Sequence, residues 1–286
     1  MLVFSTCLQL TRCVLACTAE RVIETISTNA GLCGVTSVDD ELFVLLVPTR
    51  DDSKVAVYSI NDYRLLRHIP LLRLELYCFN DMTSCVRYKC LYASDWYNRC
   101  IYRYDLSSSV VSTWSLPVKP IGLSVTPGSR NLLVACSGNR CKLIELRADS
   151  GQVVREIRLQ SDIKCLYHAV QLTTGQYVVC HGCGKTLHRV CMVDDEGRVT
   201  RSYGDQPGSG VGQLDEPRHL VVDEDSQFIF VADYWNDRVV LLSPTLEFVR
   251  EFSDGVSKPV RLYFHQTTRR LFVVQSDGDG VTVIQL

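Results

Sequence analysis

Four residues of the types that bind zinc lie within twelve positions, namely Cys180, Cys183, His188 and Cys191. Thiolate and imidazole ligands at short spacing suit a tetrahedral zinc ion. Only two residues separate the histidine from the last cysteine, however, whereas compact zinc motifs of this kind have four. The stretch also reads as a strand, a glycine-rich turn and a strand, which divides the ligands across a hairpin. We therefore predict that no metal binds here.

Three further histidines, His168, His219 and His265, lie on predicted strands that open three successive repeats. Strands in this position line the central channel of ring-shaped folds, where histidines from separate repeats can hold a metal ion. Counted from the predicted first residue of each strand, the three stand at offsets of 3, 2 and 6. Side chains alternate between the faces of a strand, and each residue advances about 3.3 Å. We therefore expect these histidines not to converge, and predict no cofactor.

A short strand-like pattern recurs six times, with its second residue at positions 22, 65, 110, 153, 199 and 248. In its clearest unit, residues 213–252 read as four strands separated by the turns DEDS, DYWND and SPTLE. Four strands in a unit of this length indicate a β-propeller blade. In the second unit, the apolar run Leu74–Phe79 is the predicted inner strand. The predicted fold class is all-β, a six-bladed propeller of four-stranded antiparallel blades.

The two ends of the chain complement each other. Only three strand-like runs follow the sixth copy, and too few residues for three strands precede the first copy. We expect Arg21–Ile26 to lie beside Val281–Leu286 as the outer strand of the last blade, because an unclosed ring would expose a strand edge. Residues 1–19 are predicted to be a lead-in, either a peripheral strand or unstructured. The predicted blades span about residues 30–69, 70–116, 118–159, 161–205, 212–252, and 256–286 together with 20–26.

Composition is that of a packed globular domain, with 46% hydrophobic and 22% charged residues. The net charge of −2 provides no global basic field for nucleic acid. Many of the 14 cysteines fall inside strands, and no Asn-X-Ser/Thr acceptor occurs. These features predict a reducing, cytoplasmic location. The alternative is secretion, although the apolar N-terminus lacks a basic flank.

Residues 203–217, YGDQPGSGVGQLDEP, precede a hydrophobic strand and the turn Asp233-Tyr234-Trp235-Asn236-Asp237-Arg238. The glycine-rich lead, the proline and the Asp-x-x-Asn-x-Arg turn resemble an NHL repeat. Blade two has a shortened form of the turn, DWYNR, and blade three only Asn139-Arg140. The resemblance implies a six-bladed NHL propeller, as at the C-terminus of tripartite-motif (TRIM-NHL) ubiquitin ligases. No RING finger, B-box or coiled coil is recognised in the chain, so ligase activity is not carried over.

One face of such a propeller carries the turns between second and third strands together with the connections between blades, and this face usually binds. Aromatic and arginine side chains there suit protein contacts and can also stack on unpaired bases. The alternative is that Arg99 and Arg238 pair with aspartates of their own turns and that the tryptophans pack between blades. The predicted partner-binding residues are Arg50, Trp96, Tyr97, Arg99, Arg140, Lys185, Tyr234, Trp235 and Arg238, with Asp51 beside the first.

These observations favour a non-catalytic interaction module, monomeric as an isolated propeller, that binds a protein partner. The family resemblance implies the substrate-recognition part of a ubiquitin-ligase-type protein. Recognition of single-stranded RNA is the alternative, weakened by the net charge and by Asp51, Asp95 and Asp233 in the turns. A third alternative is a channel-centred metal-dependent lyase or hydrolase. No serine or cysteine stands in a pattern that would activate it as a nucleophile.

Overall fold

The computed structural model describes residues 21–28, 31–47, 54–70, 79–128, 130–277 and 280–286. The predicted lead-in and the predicted binding residue Arg50, with Asp51, lie outside this part of the chain. Within it, 24 strands form six four-stranded antiparallel sheets, which confirms the predicted fold class. One 3-10 turn, Tyr234–Asn236, interrupts the strands. No helix of the described residues has the length and apolar character needed to cross a membrane.

In blades one to five the strands follow the chain from the inner to the outer edge, and in blade six the outer strand is β1. Blade one contains β2 (Gly31–Val38), β3 (Glu41–Val47), β4 (Lys54–Ser59) and β5 (Leu65–Pro70). Blade two contains β6 (Phe79–Cys85), β7 (Cys90–Asp95), β8 (Cys100–Asp105) and β9 (Val111–Ser115). Blade three contains β10 (Lys119–Val125), β11 (Asn131–Ser137), β12 (Lys142–Arg147) and β13 (Val153–Arg158). Blade four contains β14 (Leu166–Gln171), β15 (Tyr177–His181), β16 (Arg189–Val193) and β17 (Val199–Tyr203). Blade five contains β18 (Pro217–Val222), β19 (Ile229–Asp233), β20 (Arg238–Leu242) and β21 (Phe248–Phe252), and blade six contains β22 (Pro259–His265), β23 (Arg270–Gln275), β24 (Gly280–Gln285) and β1 (Arg21–Ser27).

The ring closes through β1, as predicted. This strand pairs antiparallel with β24, so that Val22 lies opposite Ile284 and Ile26 opposite Val281. Each inner strand contacts the inner strands of both neighbouring blades, and β22 contacts β2 across the closure. The two ends of the described chain therefore share one sheet.

Apolar side chains fill the spaces between the blades. At the closure, Leu42 and Val44 of blade one pack in one cluster with Phe272 and Val274 of blade six, and all four are fully buried. Burying one such side chain contributes roughly 1.5–3 kcal/mol to folding. Because the residues of each strand alternate between two apolar faces, every blade needs a neighbour on both sides.

The inner strand of blade two differs from the prediction. The structure places it at Phe79–Cys85, whereas the predicted run Leu74–Phe79 falls largely outside the described residues. The prediction followed apolar character, but the sequence of the strand, FNDMTSC, is half polar. An inner strand lines the channel, and polar side chains are tolerated there when they find hydrogen-bond partners.

Candidate functional site

One position of every inner strand lies at the axis of the ring. In each blade the pairing of the inner strand shifts by one residue after its first or second bridging position, as between Leu166 and His168 or between Pro217 and His219. A β-bulge of this kind redirects the residue that follows it. The residues that directly follow the six bulges are Gly34, Asp81, Gly122, His168, His219 and Arg261.

Three of these six side chains, His168, His219 and Arg261, surround the carboxylate of Asp81, which is buried. The backbone N–H groups of Leu123 and Met82 donate to its two oxygens at 2.8 and 2.9 Å. The guanidinium Nε of Arg261 lies 3.1 Å from Oδ1. Although burial alone raises the pKa of Asp81, His219 and Arg261 lower it to about 2, so the group is ionised at neutral pH. This carboxylate connects blade two to blades three and six.

The imidazoles of His168 and His219 complete the cluster. Their rings stack with centroids 3.8 Å apart, and each Nε2 lies 3.5 Å from a carboxylate oxygen of Asp81. Burial lowers the pKa of His168 to about 3 and also lowers the pKa of His219, so both rings are neutral at pH 7. The cluster therefore carries one negative charge and one balancing guanidinium.

Asp81, His168 and His219 place ligand atoms of metal-binding types within 4.8 Å of one another. A carbonyl oxygen only accepts, so the 2.9 Å contact to Leu123 O puts a proton on Nε2 of His168. The N–H of Leu262 donates to Nδ1 of His219 at 3.4 Å, which puts the proton of that neutral ring on Nε2 as well. Both Nε2 atoms thus lack the lone pair that a metal requires. The arrangement fits a hydrogen-bonded cluster that joins the blades at the axis. It does not fit a metal ion coordinated by the two Nε2 atoms.

The prediction that the three channel histidines stay apart is wrong for His168 and His219. It counted blade four from Cys165, whereas β14 begins at Leu166, and this one-residue error placed His168 on the wrong face. His265 lies four residues beyond the axial position of its strand and pairs with Thr268 at 2.7 Å.

Next to the axial cluster, a central cavity of about 760 Å³ opens toward the turns between first and second strands. Its described lining contains no lysine or arginine and includes Glu224 near the mouth. The hydroxyl groups of the wall bond to neighbouring blades, for example Thr36 to Ser84 at 2.7 Å and Ser124 to Ala169 O at 2.8 Å. These bonds join blades to one another.

On the opposite side lies the surface formed by the turns between second and third strands and the connections between blades, which we call the turn face. In blade five, the side chain of Arg238 lies beneath this surface and bonds to the segments that form it. Its Nε donates to Asp233 at 2.8 Å, and its Nη atoms donate to the carbonyls of Ser209 and Gln213 at 2.9 and 3.0 Å. The side chain is buried, so the prediction that this face displays it is wrong. Its bond to Asp233 is the pairing that the alternative predicted, and its other bonds fix the glycine-rich segment to the turn.

Tyr234 is also buried, so the prediction that it is displayed is wrong. The guanidinium of Arg218 lies 3.3 Å from its ring centroid, and its hydroxyl accepts from Ser276 at 3.2 Å. The 3-10 turn directs this side chain inward and the next one, Trp235, outward. The motif spacing did not reveal which of two adjacent aromatic residues faces solvent.

The remaining predicted residues of the described chain lie at the surface. Trp235 is 51% and Tyr97 70% exposed. Trp96 is half-buried, with the ammonium of Lys119 at 3.5 Å from its ring centroid. Asp95 bonds to Asn98 and leaves Arg99 exposed, so that arginine does not pair within its own turn. Arg140 and Lys185 are likewise exposed.

The four candidate zinc ligands are not brought together. Cys183 is bonded to Cys165, and His188 accepts from the N–H of Glu216 at 3.0 Å. Cys180 and Cys191 pack into different core clusters on opposite faces of blade four. No other disulfide joins the cysteines of the described chain.

No family model matches the chain, and no curated protein matches it in sequence. Three solved structures are similar in fold to this chain. The β-propeller domain of Myceliophteria thermophila Cps50 (Swd1) has a TM-score of 0.66 at 11% identity, covering 94% of this chain and 100% of that one. A protein of unknown function from Bacteroides caccae has a TM-score of 0.63 at 14% identity, covering 82% of each chain. Kuenenia stuttgartiensis hydrazine synthase has a TM-score of 0.63 at 13% identity, covering 88% of this chain and 83% of that one. At these identities the likeness shows the fold alone.

Substituting His168→Gln should flatten the pH dependence of stability. The pKa of His168 is about 3 in the folded protein and about 6.5 when unfolded, so the unfolded chain gains a proton as the pH falls through this window. The contribution of this histidine to the free energy of unfolding is fully present above pH 6.5. It is lost as the pH falls below 6.5, by about 1.4 kcal/mol per pH unit. Urea unfolding at several pH values should show a slope reduced by about that amount. The exposed His68→Gln is the control, and an unchanged slope in the His168 variant would contradict the assignment.

Substituting Arg238→Met should lower the free energy of unfolding by about 3 kcal/mol, because Asp233 is left buried without its cation. The matched control is Arg140→Met, in the corresponding turn of blade three, where the side chain is exposed. We expect that change to cost less than about 0.5 kcal/mol. Urea denaturation measures both, and equal effects would show that Arg238 is not the structural member of the pair.

Proposed function

We propose that this chain is a non-catalytic module that binds a protein partner on the turn face. The observation that carries the proposal is the exposure of two aromatic side chains there, Trp235 in blade five and Tyr97 in blade two. Val211, on the glycine-rich segment, is 81% exposed. Tryptophan and tyrosine are enriched among the residues that dominate protein binding energy.

The aromatic site of blade five is held in place before any partner arrives. The N–H of Trp235 donates to Asp215 O at 3.1 Å, and the amide of Asn236 donates to Gly208 O at 2.8 Å. These bonds join the turn to the glycine-rich segment that carries Val211. A preorganised surface loses less conformational entropy on binding, which favours affinity.

The proposal extends to the NHL family and to a role in substrate recognition by a ubiquitin-ligase-type protein. Its support is the turn itself. In blade five Asn236 bonds to Asp233 at 2.8 Å, and in blade two Asn98 bonds to Asp95 at the same distance. The same side-chain pair thus builds the turn in the two blades whose sequences suggested the resemblance.

The double variant Tyr97→Ala/Trp235→Ala should weaken partner binding while the propeller stays folded. Tagged wild-type and variant proteins would be used to capture proteins from a cell lysate with nuclease present, followed by quantitative mass spectrometry and binding measurements with the purified candidate. We expect the variant to bind at least about tenfold more weakly, because such aromatic contacts contribute more than about 1.4 kcal/mol.

The control is Val86→Ala/Val111→Ala, which removes exposed apolar side chains away from the turn face. It should bind as wild type does. Equal binding by wild type and the Tyr97/Trp235 variant would contradict the proposal. Capture that is seen only in a parallel experiment without nuclease would instead support single-stranded RNA as the ligand.

A further inference from the structure

The exposed charges of the turn face are divided between its two halves. Across blades two to four, the turns and connections carry Arg99, Arg140, Lys164 and Lys185, all exposed and none in an ion pair within the described part of the chain. Asp162 lies among them but is neutralised by Arg189 at 2.6 Å. We call these four cations the basic half.

The chain topology places these four cations on one surface. Second-to-third-strand turns and blade connections meet at the same end of each sheet, and backbone bonds join them. The N–H of Leu116, in the connection after blade two, donates to Arg99 O at 2.7 Å. In blade four, the N–H of Gly182 donates to Cys165 O at 3.2 Å, which links the turn that carries Lys185 to the connection that carries Lys164.

Blades five and six carry the opposite charge. Asp205, Asp237, Asp254 and Asp277 are exposed in their turns and connections. Lys258 lies 3.7 Å from Asp277 and offsets part of this charge. A net charge of −2 for the whole chain hides this separation.

The geometry points to an acidic segment of a protein partner seated on the basic half, with Tyr97 at its edge. This inference rests on the proposed function and specifies the chemistry of the partner. Four exposed cations that have no ion-pair partner among the described residues attract an anionic segment, and complementary charge sets both the rate and the orientation of docking. A partner running across both halves would place cationic or neutral residues over blades five and six.

A nucleic acid strand fits this surface less well. Binding of single strands without sequence preference relies on several aromatic platforms that stack successive bases. Within the described basic half, Tyr97 is the large aromatic side chain that is mainly exposed, because Lys119 covers the ring of Trp96. A strand longer than a few nucleotides would also meet the carboxylates of the other half.

The test uses fluorescence anisotropy with a labelled peptide of about twelve residues that alternates glutamate and alanine, and a second peptide with glutamine in place of glutamate. Wild-type protein should bind the acidic peptide at least about tenfold more tightly than the neutral one at low salt. The charge reversal Arg140→Glu/Lys185→Glu should weaken that binding by about tenfold or more. The matched control Arg87→Glu/Arg130→Glu makes the same charge change at exposed sites on the opposite side, and should stay within about twofold of wild type.

Equal affinity for the two peptides, or equal loss in both reversals, would overturn the inference. So would tighter binding of a mixed-sequence RNA of about twelve nucleotides that the Arg140/Lys185 reversal abolishes. If the reversal variant fails to fold, Arg140→Gln/Lys185→Gln replaces it. If no peptide binds but Tyr97→Ala/Trp235→Ala still weakens partner capture, this inference fails and the proposed function stands.

Discussion

The pairing of β1 with β24 is the constraint on which the ring depends. A four-stranded blade with two apolar faces cannot exist alone, and a row of such blades would end in an uncovered face and an open strand edge. Joining the two ends of the chain in one sheet removes both problems at once. Ile26 lies at this junction and packs with Val35 of blade one and Val281 of its own blade. Everything on the turn face is held in position because this closure keeps the six blades in register.

The axis is held by polar groups, in contrast to the apolar spaces between blades. Asp81 receives backbone N–H donors from two blades and lies against Arg261 from a third, while two neutral imidazoles complete its surroundings. Small residues at the other axial positions make this possible. A Cβ on Gly122 would lie 2.8 Å from Cα of His168, closer than such atoms approach. The axial position thus combines one anion, one cation, two neutral rings and two glycines in the space of six side chains.

Much of the fold could be predicted from sequence, because blade period and strand number follow from apolar spacing. The closing strand was predictable for the same reason. The axial cluster was not predictable, since its members share only their position after a β-bulge, and residue polarity does not reveal where a bulge occurs. In addition, the hydrophobic pattern placed the strand that contains Asp81 five residues too early. On the turn face, residue type identified Trp235 and Tyr97, but it could not show that Arg238 lies under the surface, because a buried and an exposed arginine look alike in sequence.

The proposed partner binding depends on a closed ring that holds the turns of the turn face in fixed positions. The claim that supports all of this is that β1 belongs to the ring. Urea unfolding of Ile26→Ala and Ile23→Ala tests it directly, because both isoleucines lie on β1 but only Ile26 is buried. The account predicts a loss of about 2–4 kcal/mol of unfolding free energy for Ile26→Ala and less than about 1 kcal/mol for Ile23→Ala. Two equally small losses would contradict it.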